Sequence, residues 1–402
     1  MKKRIFVGDF HLGSDEKKAV MEVLDLGRVS EWKKTREFEK LWANYVGTRY
    51  AVALSSGTSA LLVGWSALRC QKRYSRRKKV ITAPITYIAT SNALVLAGLE
   101  PVYVDIDAEK FVITPEAIEK HLQQTRDIED YLAINPVHLM GYCAEMDRIN
   151  EIARKYNLLV VEDSAQAHGS IYKNKKAGAM SLFSIFSFYI AHNIQAGEMG
   201  SLNTDDEEIY RLVKKLKANG RLCDCLVCTR HEGKCPHRSL DEEDHDPRFS
   251  HDLIGYNFKT MEFQTALAVS QIKKADRIFC QRQQNVRYLN ERLKKFSGVL
   301  QLPVFDENVS YLAYPIVIKD PKVISRKKLR AELEKEGIES RPLFGCIPTQ
   351  QPAYAYLKNL YQDKLPVADY VGRNGFYIGC HQYLTKDDLD YVVEVFEKIF
   401  KR

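Results

Sequence analysis

Between residue 51 and about residue 203, short apolar runs rich in β-branched residues alternate with segments of helical periodicity. The apolar runs are YAVALSS, VITAPIT, EPVYVDID, YLAINPVHL, LLVVEDSA and LFSIFSF, and patterns such as TSALLVGWSALRC and DRINEIARKYN separate them. Apolar strands separated by helices predict a mostly parallel sheet with helices on both faces. Because ligands of such sheets bind at the carboxyl ends of the strands, we expect the chemistry there.

Residues 220–252 interrupt this pattern, because they are polar and rich in Cys, His, Asp and Glu. They read as an insertion that needs a bound ligand to hold its shape. A long helical pattern follows over residues 261–296, and then a strand at YLAYPIVI and helices at SRKKLRAELEKEG and TKDDLDYVVEVFEKIF. We therefore predict an α/β protein with a large domain over residues 1–260, and a linking helix with a small C-terminal α+β domain over residues 261–402.

The composition is that of an ordinary globular protein, with 45% hydrophobic and 28% charged residues among 402. No run approaches the roughly 20 apolar residues of a membrane span, and the N-terminus has no signal-peptide core. We therefore expect a cytoplasmic protein with no membrane partner. The net charge is +8, and the basic run at residues 72–79 is interpreted as a solvated loop rather than a nucleic-acid contact. A mildly basic chain also suits small anionic substrates.

Three stretches have candidate ligand-binding or catalytic residues at the ends of predicted strands. SSGTSA, at residues 55–60, combines backbone N–H groups and hydroxyls at a helix start, which fits either a phosphate site or an ordinary capped turn. Asp163 ends the run LLVVED, where it could pair with a protonated cofactor ring or cap the next helix. His192 follows the strand LFSIFSF and precedes a glycine turn, so we expect a general acid or base there.

The cysteines divide into two groups. Cys70, Cys143, Cys280, Cys346 and Cys380 are scattered, and are expected to be small buried hydrophobes. The others form a cluster: Cys223, Cys225, Cys228 and Cys235. Four neighbouring thiols in a cytoplasmic protein predict a metal site, and a four-thiolate set suits either structural zinc or an iron–sulfur cluster. The residues alone leave both metals open.

Several segments together carry a resemblance along nearly the whole chain: FEKLWANYVGTRYAVALSSGTSAL, ITAPITYIATSNALVLAGLEPVYVDID, VVEDSAQAHGS, FSFYIAHNIQAGEMGSL, IGYNFKTMEFQTALA and GIESRPLFGCIPTQQPAY. In these segments the chain resembles the DegT/DnrJ/EryC1/StrS group of sugar aminotransferase-like, fold-type I pyridoxal-phosphate enzymes. The resemblance implies an aspartate aminotransferase-like fold. It also implies a homodimer that holds pyridoxal or pyridoxamine 5′-phosphate.

The resemblance assigns the cofactor phosphate to a few matching positions. Gly57, Thr58 and Ser187 would hold the phosphate within one subunit. Asn257, in the segment IGYN, would reach the phosphate in the neighbouring subunit of a dimer. These roles come from the resemblance and not from the spacing of the residues.

The resemblance also assigns the surroundings of the pyridine ring. Tyr87 would stack on the ring, Asp163 would pair with its nitrogen, and Gln166 would lie near its face. In the aminotransferases, the residue at position 192 is the lysine that binds the cofactor covalently, whereas this chain has His192. The cofactor is therefore expected to be bound noncovalently. Histidine in this context is similar to the 3-dehydrases of nucleotide-linked 4-keto-6-deoxyhexoses.

One branch of those dehydrases carries a four-cysteine iron–sulfur site before the GYN segment, and this chain has its four clustered cysteines at the same place. The resemblance therefore implies a pyridoxamine-phosphate-dependent C3 dehydration or deoxygenation with His192 as the base. A [2Fe–2S] cluster would pass electrons from a flavin or iron–sulfur reductase or a ferredoxin, with [4Fe–4S] and zinc as alternatives.

Two other functions stay open. One is a glutamate-coupled sugar 3-dehydratase with structural zinc. The other is a non-catalytic sensor that binds pyridoxal phosphate and has lost its lysine. The retained base, phosphate loop and ring partner argue against the sensor, because decay would not be expected to spare them.

Overall fold

The structure is a computed structural model that describes residues 3–223, 225 and 249–401. In this part of the chain the β-strands are β1 (Tyr50–Leu54), β2 (Lys79–Thr82), β3 (Glu100–Tyr103), β4 (Tyr131–Asn135), β5 (Leu159–Asp163), β6 (Ile171–Tyr172), β7 (Lys175–Lys176), β8 (Phe183–Ser187), β9 (Gly200–Thr204), β10 (Leu300–Gln301), β11 (Tyr314–Ile318), β12 (Ser340–Pro342) and β13 (Gly375–Ile378). The α-helices are α1 (Ser14–Asp25), α2 (Lys33–Val46), α3 (Gly57–Arg69), α4 (Ala89–Leu96), α5 (Pro115–Gln124), α6 (Met146–Lys155), α7 (Glu207–Leu216), α8 (Glu262–Ile272), α9 (Ala275–Leu293), α10 (Arg326–Lys335), α11 (Ile347–Gln350), α12 (Lys358–Tyr361), α13 (Pro366–Asn374) and α14 (Lys386–Phe400).

The large sheet has seven strands in the order β1-β9-β8-β5-β4-β2-β3. The pairs from β8 through β5, β4 and β2 to β3 are parallel. Strand β9 alone in this sheet runs antiparallel to both of its neighbours, β1 and β8. The mostly parallel sheet predicted from the alternating pattern is confirmed.

Both faces of the sheet are buried over its central strands, which explains why β2, β4 and β5 are mostly apolar. Val80 and Val161 point into the core formed with helices α3 and α7. Their neighbours Ile81 and Val160 point into a second core, which includes residues of helices α5, α6 and α9. The alternation along each strand therefore produces a three-layer arrangement of helices, sheet and helices.

Helix α3 lies directly against strands β8 and β9 because Gly64 has no side chain. A Cβ atom at Gly64 would lie 2.6 Å from a ring carbon of Phe183 and 2.9 Å from a methyl carbon of Leu202. This close packing sets the N-terminus of α3 beside the carboxyl end of β8. The site described below is built at that junction.

The C-terminal part forms an antiparallel four-stranded sheet in the order β10-β11-β13-β12. The strand at YLAYPIVI and the two following helices agree with the α+β unit predicted from the sequence. Ile316 and Phe376 of the small sheet share one buried cluster with Ile81 and Ile134 of the large sheet. The boundary at residue 260 stays a prediction.

The long helical pattern over residues 261–296 is interrupted rather than continuous. Helix α8 ends at Ile272 and α9 begins at Ala275, with Lys274 in a non-helical conformation between them. The ammonium group of Lys274 donates a hydrogen bond of 2.7 Å to the buried carboxylate of Glu16. The bond between Lys274 and Glu16 therefore lies at the break between α8 and α9.

The predicted insertion at residues 220–252 falls mostly outside the described residues. At its base, Arg221 pairs with His251 in an antiparallel bridge. In the part of the chain that is described, no helix has both the length and the apolarity to cross a membrane.

Candidate active site

The first component of the site is the N-terminus of helix α3, which follows strand β1. Ser56 caps the helix, and its hydroxyl accepts a hydrogen bond of 3.0 Å from the N–H group of Ser59. The N–H groups of Gly57 and Thr58 have no hydrogen-bond acceptor among the described residues. A helix start with unpaired N–H groups favours an anionic ligand.

The structure brings Ser187 to this helix start. A Cβ atom on Gly57 would lie 2.6 Å from the Cβ atom of Ser187 and 3.1 Å from its hydroxyl oxygen. Only glycine allows this approach, so the hydroxyl at the end of β8 lies beside the first turn of α3. Gly57, Thr58 and Ser187 therefore form a cradle of N–H and O–H donors at the start of α3, and such donors stabilise an anionic group.

The second component is Asp163, the last residue of the central strand β5. Its carboxylate accepts a hydrogen bond of 2.7 Å from the hydroxyl of Thr90 and one of 3.2 Å from the N–H group of Ala165. Burial raises the pKa of Asp163, and the bond from Thr90 partly opposes that effect. Within the described part of the chain no cation bonds to this carboxylate, so a protonated ring nitrogen would be a suitable partner.

Gln166 lies on the turn that follows Asp163. Its side-chain oxygen accepts a hydrogen bond of 3.0 Å from the N–H group of Met140, and the residue is buried. Met140, on the loop after β4, has a positive φ of 57°. The loop after β4 therefore fixes the orientation of a side chain on the loop after β5.

The third component is His192, on the loop that follows β8. Its Nδ1 atom lies 2.6 Å from the carbonyl oxygen of Ser187. Because a carbonyl oxygen only accepts, the proton of the neutral ring must be on Nδ1, which leaves the lone pair on Nε2. Burial, together with the smaller effect of the Arg282 charge, lowers the pKa of His192 to about 4, although the bond to the Ser187 carbonyl opposes this shift. The imidazole of His192 is therefore neutral at physiological pH.

A second histidine adjoins His192. The ring of His168 is fully buried, and its centroid lies 6.1 Å from that of His192. Both ring nitrogens of His168 are without a hydrogen-bond partner among the described residues. Burial, followed by the charges of His192 and Arg282, lowers the pKa of His168 well below its usual range. His168 stands in the segment VVEDSAQAHGS, but its proximity to His192 could be found only in the structure.

The N-terminal segment packs on the His192 loop, and sequence reasoning did not find this contact. A Cβ atom on Gly8 would lie 3.1 Å from the Cα atom of Ala191. The side-chain amide of the buried Gln195 donates to the carbonyl oxygens of Asp9 and Ile190, at 3.0 and 2.6 Å. The segment before α1 therefore supports the loop that carries His192.

Among the described residues, the other two predicted cofactor contacts, Tyr87 and Asn257, make no contact with the three components above. Tyr87 is 60% exposed, and its ring meets Phe344 edge-on with 6.1 Å between the centroids. Asn257 is exposed and pairs with Ala218 in an antiparallel bridge at the end of α7. Both positions stay predictions of cofactor contacts.

The cysteine cluster is described only in part. Cys223 and Cys225 are half-buried and form no disulfide, while Cys228 and Cys235 lie outside the described residues. Among residues 3–223, 225 and 249–401, no three His, Cys, Asp or Glu side chains are grouped so as to hold a metal ion. The four-cysteine site therefore stays a prediction.

Comparison with known proteins defines the family. The model of the DegT/DnrJ/EryC1/StrS aminotransferase family matches residues 11–397, which is nearly the whole chain. The chain belongs to this family. The resemblance drawn from the sequence segments is confirmed, as is the fold that it implied.

Relatives within the family have different named activities. The chain is 33% identical over 399 residues to a dTDP-4-dehydro-2,6-dideoxy-D-glucose 3-dehydratase of Saccharopolyspora spinosa, which covers 95% of this chain and 84% of that protein. It is similar to GDP-4-keto-6-deoxy-D-mannose-3-dehydratase of E. coli with bound hydrated PLP, with a TM-score of 0.85, 27% identity, and coverage of 98% and 99%. The aminotransferase PseC of Helicobacter pylori matches with a TM-score of 0.86, 26% identity, and coverage of 99% and 100%. The likeness supports a sugar-modifying enzyme, and it includes both dehydratases and aminotransferases.

Proposed function

We propose that this chain catalyses the pyridoxamine-phosphate-dependent C3 dehydration of a nucleotide-linked 4-keto-deoxysugar, with His192 as the base. The observation that carries the proposal is the histidine at this position, oriented by the Ser187 carbonyl so that Nε2 bears the lone pair. An imidazole cannot bind the cofactor covalently as a lysine amine does, but it can take up and return a proton. The 3-dehydratases among the relatives support the reaction class.

The residues of the site fit pyridoxal or pyridoxamine phosphate. The donors of Gly57, Thr58 and Ser187 would hold its phosphate, and the buried carboxylate of Asp163 would hold its ring nitrogen in the protonated form. Tyr87 and Gln166 would contact the ring. When bound, the cofactor supplies an amine for the sugar ketone and a ring that accepts electrons. The chain supplies orientation and a proton acceptor, the Nε2 atom of His192.

We further propose that Cys223, Cys225, Cys228 and Cys235 bind a [2Fe–2S] cluster. Such a cluster would pass single electrons from a flavin or iron–sulfur reductase or a ferredoxin, and the 3-deoxy product requires two electrons. The four thiols are the support for this proposal, together with the half-buried and disulfide-free state of Cys223 and Cys225. A [4Fe–4S] cluster and zinc are the competing occupants.

The substrate class and the assembly belong to the same proposal. Relatives named for dTDP- and GDP-linked sugars support a nucleotide-sugar substrate. A homodimer would let the partner subunit's Asn257 reach the cofactor phosphate. Exposed apolar side chains close to Asn257 support such an interface, because Ile254 is 98% exposed and Met261 is 50% exposed.

Anaerobic purification followed by metal and sulfide analysis tests the electron-transfer part. We expect brown protein with iron and acid-labile sulfide, and loss of both on replacing Cys223 or Cys225 with serine. Stoichiometric zinc without iron, together with glutamate-dependent dehydration, would instead favour the glutamate-coupled reaction.

Borohydride reduction of the enzyme loaded with pyridoxal phosphate tests the noncovalent site. We expect denaturation to release all of the cofactor. A pyridoxyl group found on any lysine by mass spectrometry would contradict the proposed role of position 192.

A further inference from the structure

Arg282, in the middle of helix α9, is fully buried. Its Nη1 atom donates to the carbonyl oxygens of Tyr311 and Leu312, at 3.2 and 2.7 Å, and its Nε atom donates to the side chain of Gln382 at 3.0 Å. Its Nη2 atom is buried without a partner among the described residues. No carboxylate in that part of the chain pairs with this guanidinium. A buried and uncompensated cation destabilises a fold, so its presence requires a reason.

The segment that Arg282 holds is also the anchor of the His192 loop. Asn193, which is fully buried, donates from Nδ2 to the carbonyl oxygen of Ser310 at 3.2 Å and to its hydroxyl at 3.1 Å. The next residue, Tyr311, has a positive φ of 45°, a conformation that needs support from its surroundings. Arg282 supplies that support by donating to the carbonyl oxygens of Tyr311 and Leu312, which belong to the two peptides that follow. The arginine is thus connected to His192 through Ser310 and Asn193.

The charge of Arg282 also acts on His192. After burial, this charge is the second influence that lowers the pKa of the imidazole, and only the bond to Ser187 opposes it. Two other titratable side chains face the His192 ring: His168, on the loop after β5, and Tyr189, on the same loop as His192, each with 6.1 Å between ring centroids. The guanidinium lowers the pKa of His168 as well. A cation in this position therefore disfavours protonation of both histidines.

We propose that Arg282 is a positioning residue for His192, whose guanidinium fixes the segment that anchors the His192 loop. Its charge adds to burial, which is the larger influence, in disfavouring the protonated imidazole. A neutral imidazole is the form that accepts a proton, so this inference rests on the proposed role of His192 as a base. The same charge promotes proton release once His192 has been protonated. The two contributions, anchoring through hydrogen bonds and an unneutralised positive charge, explain why the buried Arg282 bonds to carbonyl oxygens and, among the described residues, to no carboxylate.

Two replacements separate the charge from the hydrogen bonds. Arg282→Lys keeps the charge but loses the planar fork of donors, whereas Arg282→Gln removes the charge and keeps one amide donor. Arg287→Gln is the matched control, because Arg287 lies on the same helix but is exposed and pairs with Glu307 at 3.0 Å. Each full-length protein is saturated with pyridoxamine phosphate, and the ring signals of His192 are followed by NMR from pH 5 to 8. His192→Asn identifies the signals.

We expect His192 in the wild type, Arg287→Gln and Arg282→Lys to remain neutral down to about pH 5. In Arg282→Gln its titration midpoint should rise by about 1 pH unit, which brings protonation into the measured range. Hydrogen exchange of residues 188–196 should accelerate roughly tenfold in both Arg282 variants, because the anchoring segment is released.

An unchanged midpoint in Arg282→Gln would overturn the charge part of the proposal, and unchanged exchange in both Arg282 variants would overturn the anchoring part. If Arg282→Gln does not fold, the wild type still provides a test, since protonation of His192 above pH 6 would contradict the proposal. None of these measurements requires turnover. Their failure is therefore distinguishable from failure of the proposed dehydration, which the cofactor and iron experiments test.

Discussion

The carbonyl oxygen of Ser187 lies 2.6 Å from the Nδ1 atom of His192. The same serine places its hydroxyl beside the N-terminus of α3, where Gly57 leaves room for it. One residue at the end of β8 therefore orients the ring of His192 and contributes to the cradle proposed to hold the cofactor phosphate. His192 therefore lies close to the cradle, because Ser187 belongs to the cradle and is only five positions away along the same chain segment.

Replacing His192 with asparagine should remove the base while leaving the cofactor site in place. The phosphate and ring contacts come from other residues, so pyridoxamine phosphate should still bind. Turnover should fall by roughly 10²–10⁴, the usual contribution of a positioned acid or base. His121→Asn is a suitable control, because the ring of His121 bonds to Tyr131 at the opposite, amino-terminal end of the parallel strands. Equal turnover in the two variants would mean that another residue is the base.

Gly57→Ala should weaken binding of the cofactor phosphate. The added methyl carbon would lie 2.6 Å from the Cβ atom of Ser187, so α3 or β8 must shift and the cradle must open. We expect the affinity for pyridoxal phosphate to fall at least tenfold, or about 1.4 kcal/mol. Gly298→Ala is the matched control, because nothing lies within 4 Å of the corresponding methyl group. Titration of both variants with pyridoxal phosphate, followed by absorbance, measures the difference.

Thr90→Val tests the carboxylate of Asp163. The replacement removes the hydroxyl that donates to Asp163 at 2.7 Å while preserving the side-chain volume. The lost bond should raise the pKa of Asp163 further, because burial already raises it and the threonine opposes that effect. A carboxylate that is more readily protonated pairs less well with a ring nitrogen. We expect cofactor affinity to fall about tenfold, since bonds to charged groups contribute roughly 1.5–3 kcal/mol. Thr125→Val, which removes a hydroxyl bonded to the His121 carbonyl, should leave affinity unchanged.

The sequence predicts the sheet and its strand-end residues well because burial on both faces imposes a pattern on every strand. Strand ends point to the segment at residues 55–60, to Asp163 and to His192, whereas the roles of Gly57 and Ser187 come from the family resemblance. The structure brings Gly57, Ser187 and His192 together. What the pattern cannot reveal is contact between segments that are far apart in the chain. The bond from Thr90 to Asp163 joins residues 73 positions apart. Asn193 and Ser310 are 117 positions apart.

Buried polar residues are the other feature that periodicity hides. Arg282 lies in a helix with many charged residues and reads as part of a solvated face, although it is fully buried. His168 reads as the end of a strand–turn segment, although it packs among aromatic rings. In both cases tertiary packing overrides the usual preference of a polar side chain for water. Only coordinates could assign these two residues to the surroundings of His192.

His168 should make the protein sensitive to acid. Its ring is fully buried against Trp42, Phe186 and Phe188, with centroid separations of 5.6, 5.4 and 5.1 Å. Burial lowers its pKa well below 6.5, whereas in the unfolded chain the pKa returns to about 6.5. Above that pH both states are neutral and the histidine has no pH-dependent effect. Below it, the unfolded chain binds a proton that the folded chain does not, so the free energy of unfolding falls as pH falls.

The loss should amount to about 1.4 kcal/mol per pH unit for one histidine, and should continue down to the folded-state pKa. His168→Phe keeps an aromatic ring in the cluster and removes the titration. Denaturant unfolding at pH 8 gives the packing effect of the replacement, since both forms are neutral there, and the series from pH 7 to 5 gives the slope. The free energy of unfolding of the variant should depend less steeply on pH than that of the wild type, by the amount that corresponds to about one proton. Parallel slopes for the two proteins would show that His168 takes up a proton in the folded state, and would contradict its placement as a neutral buried ring.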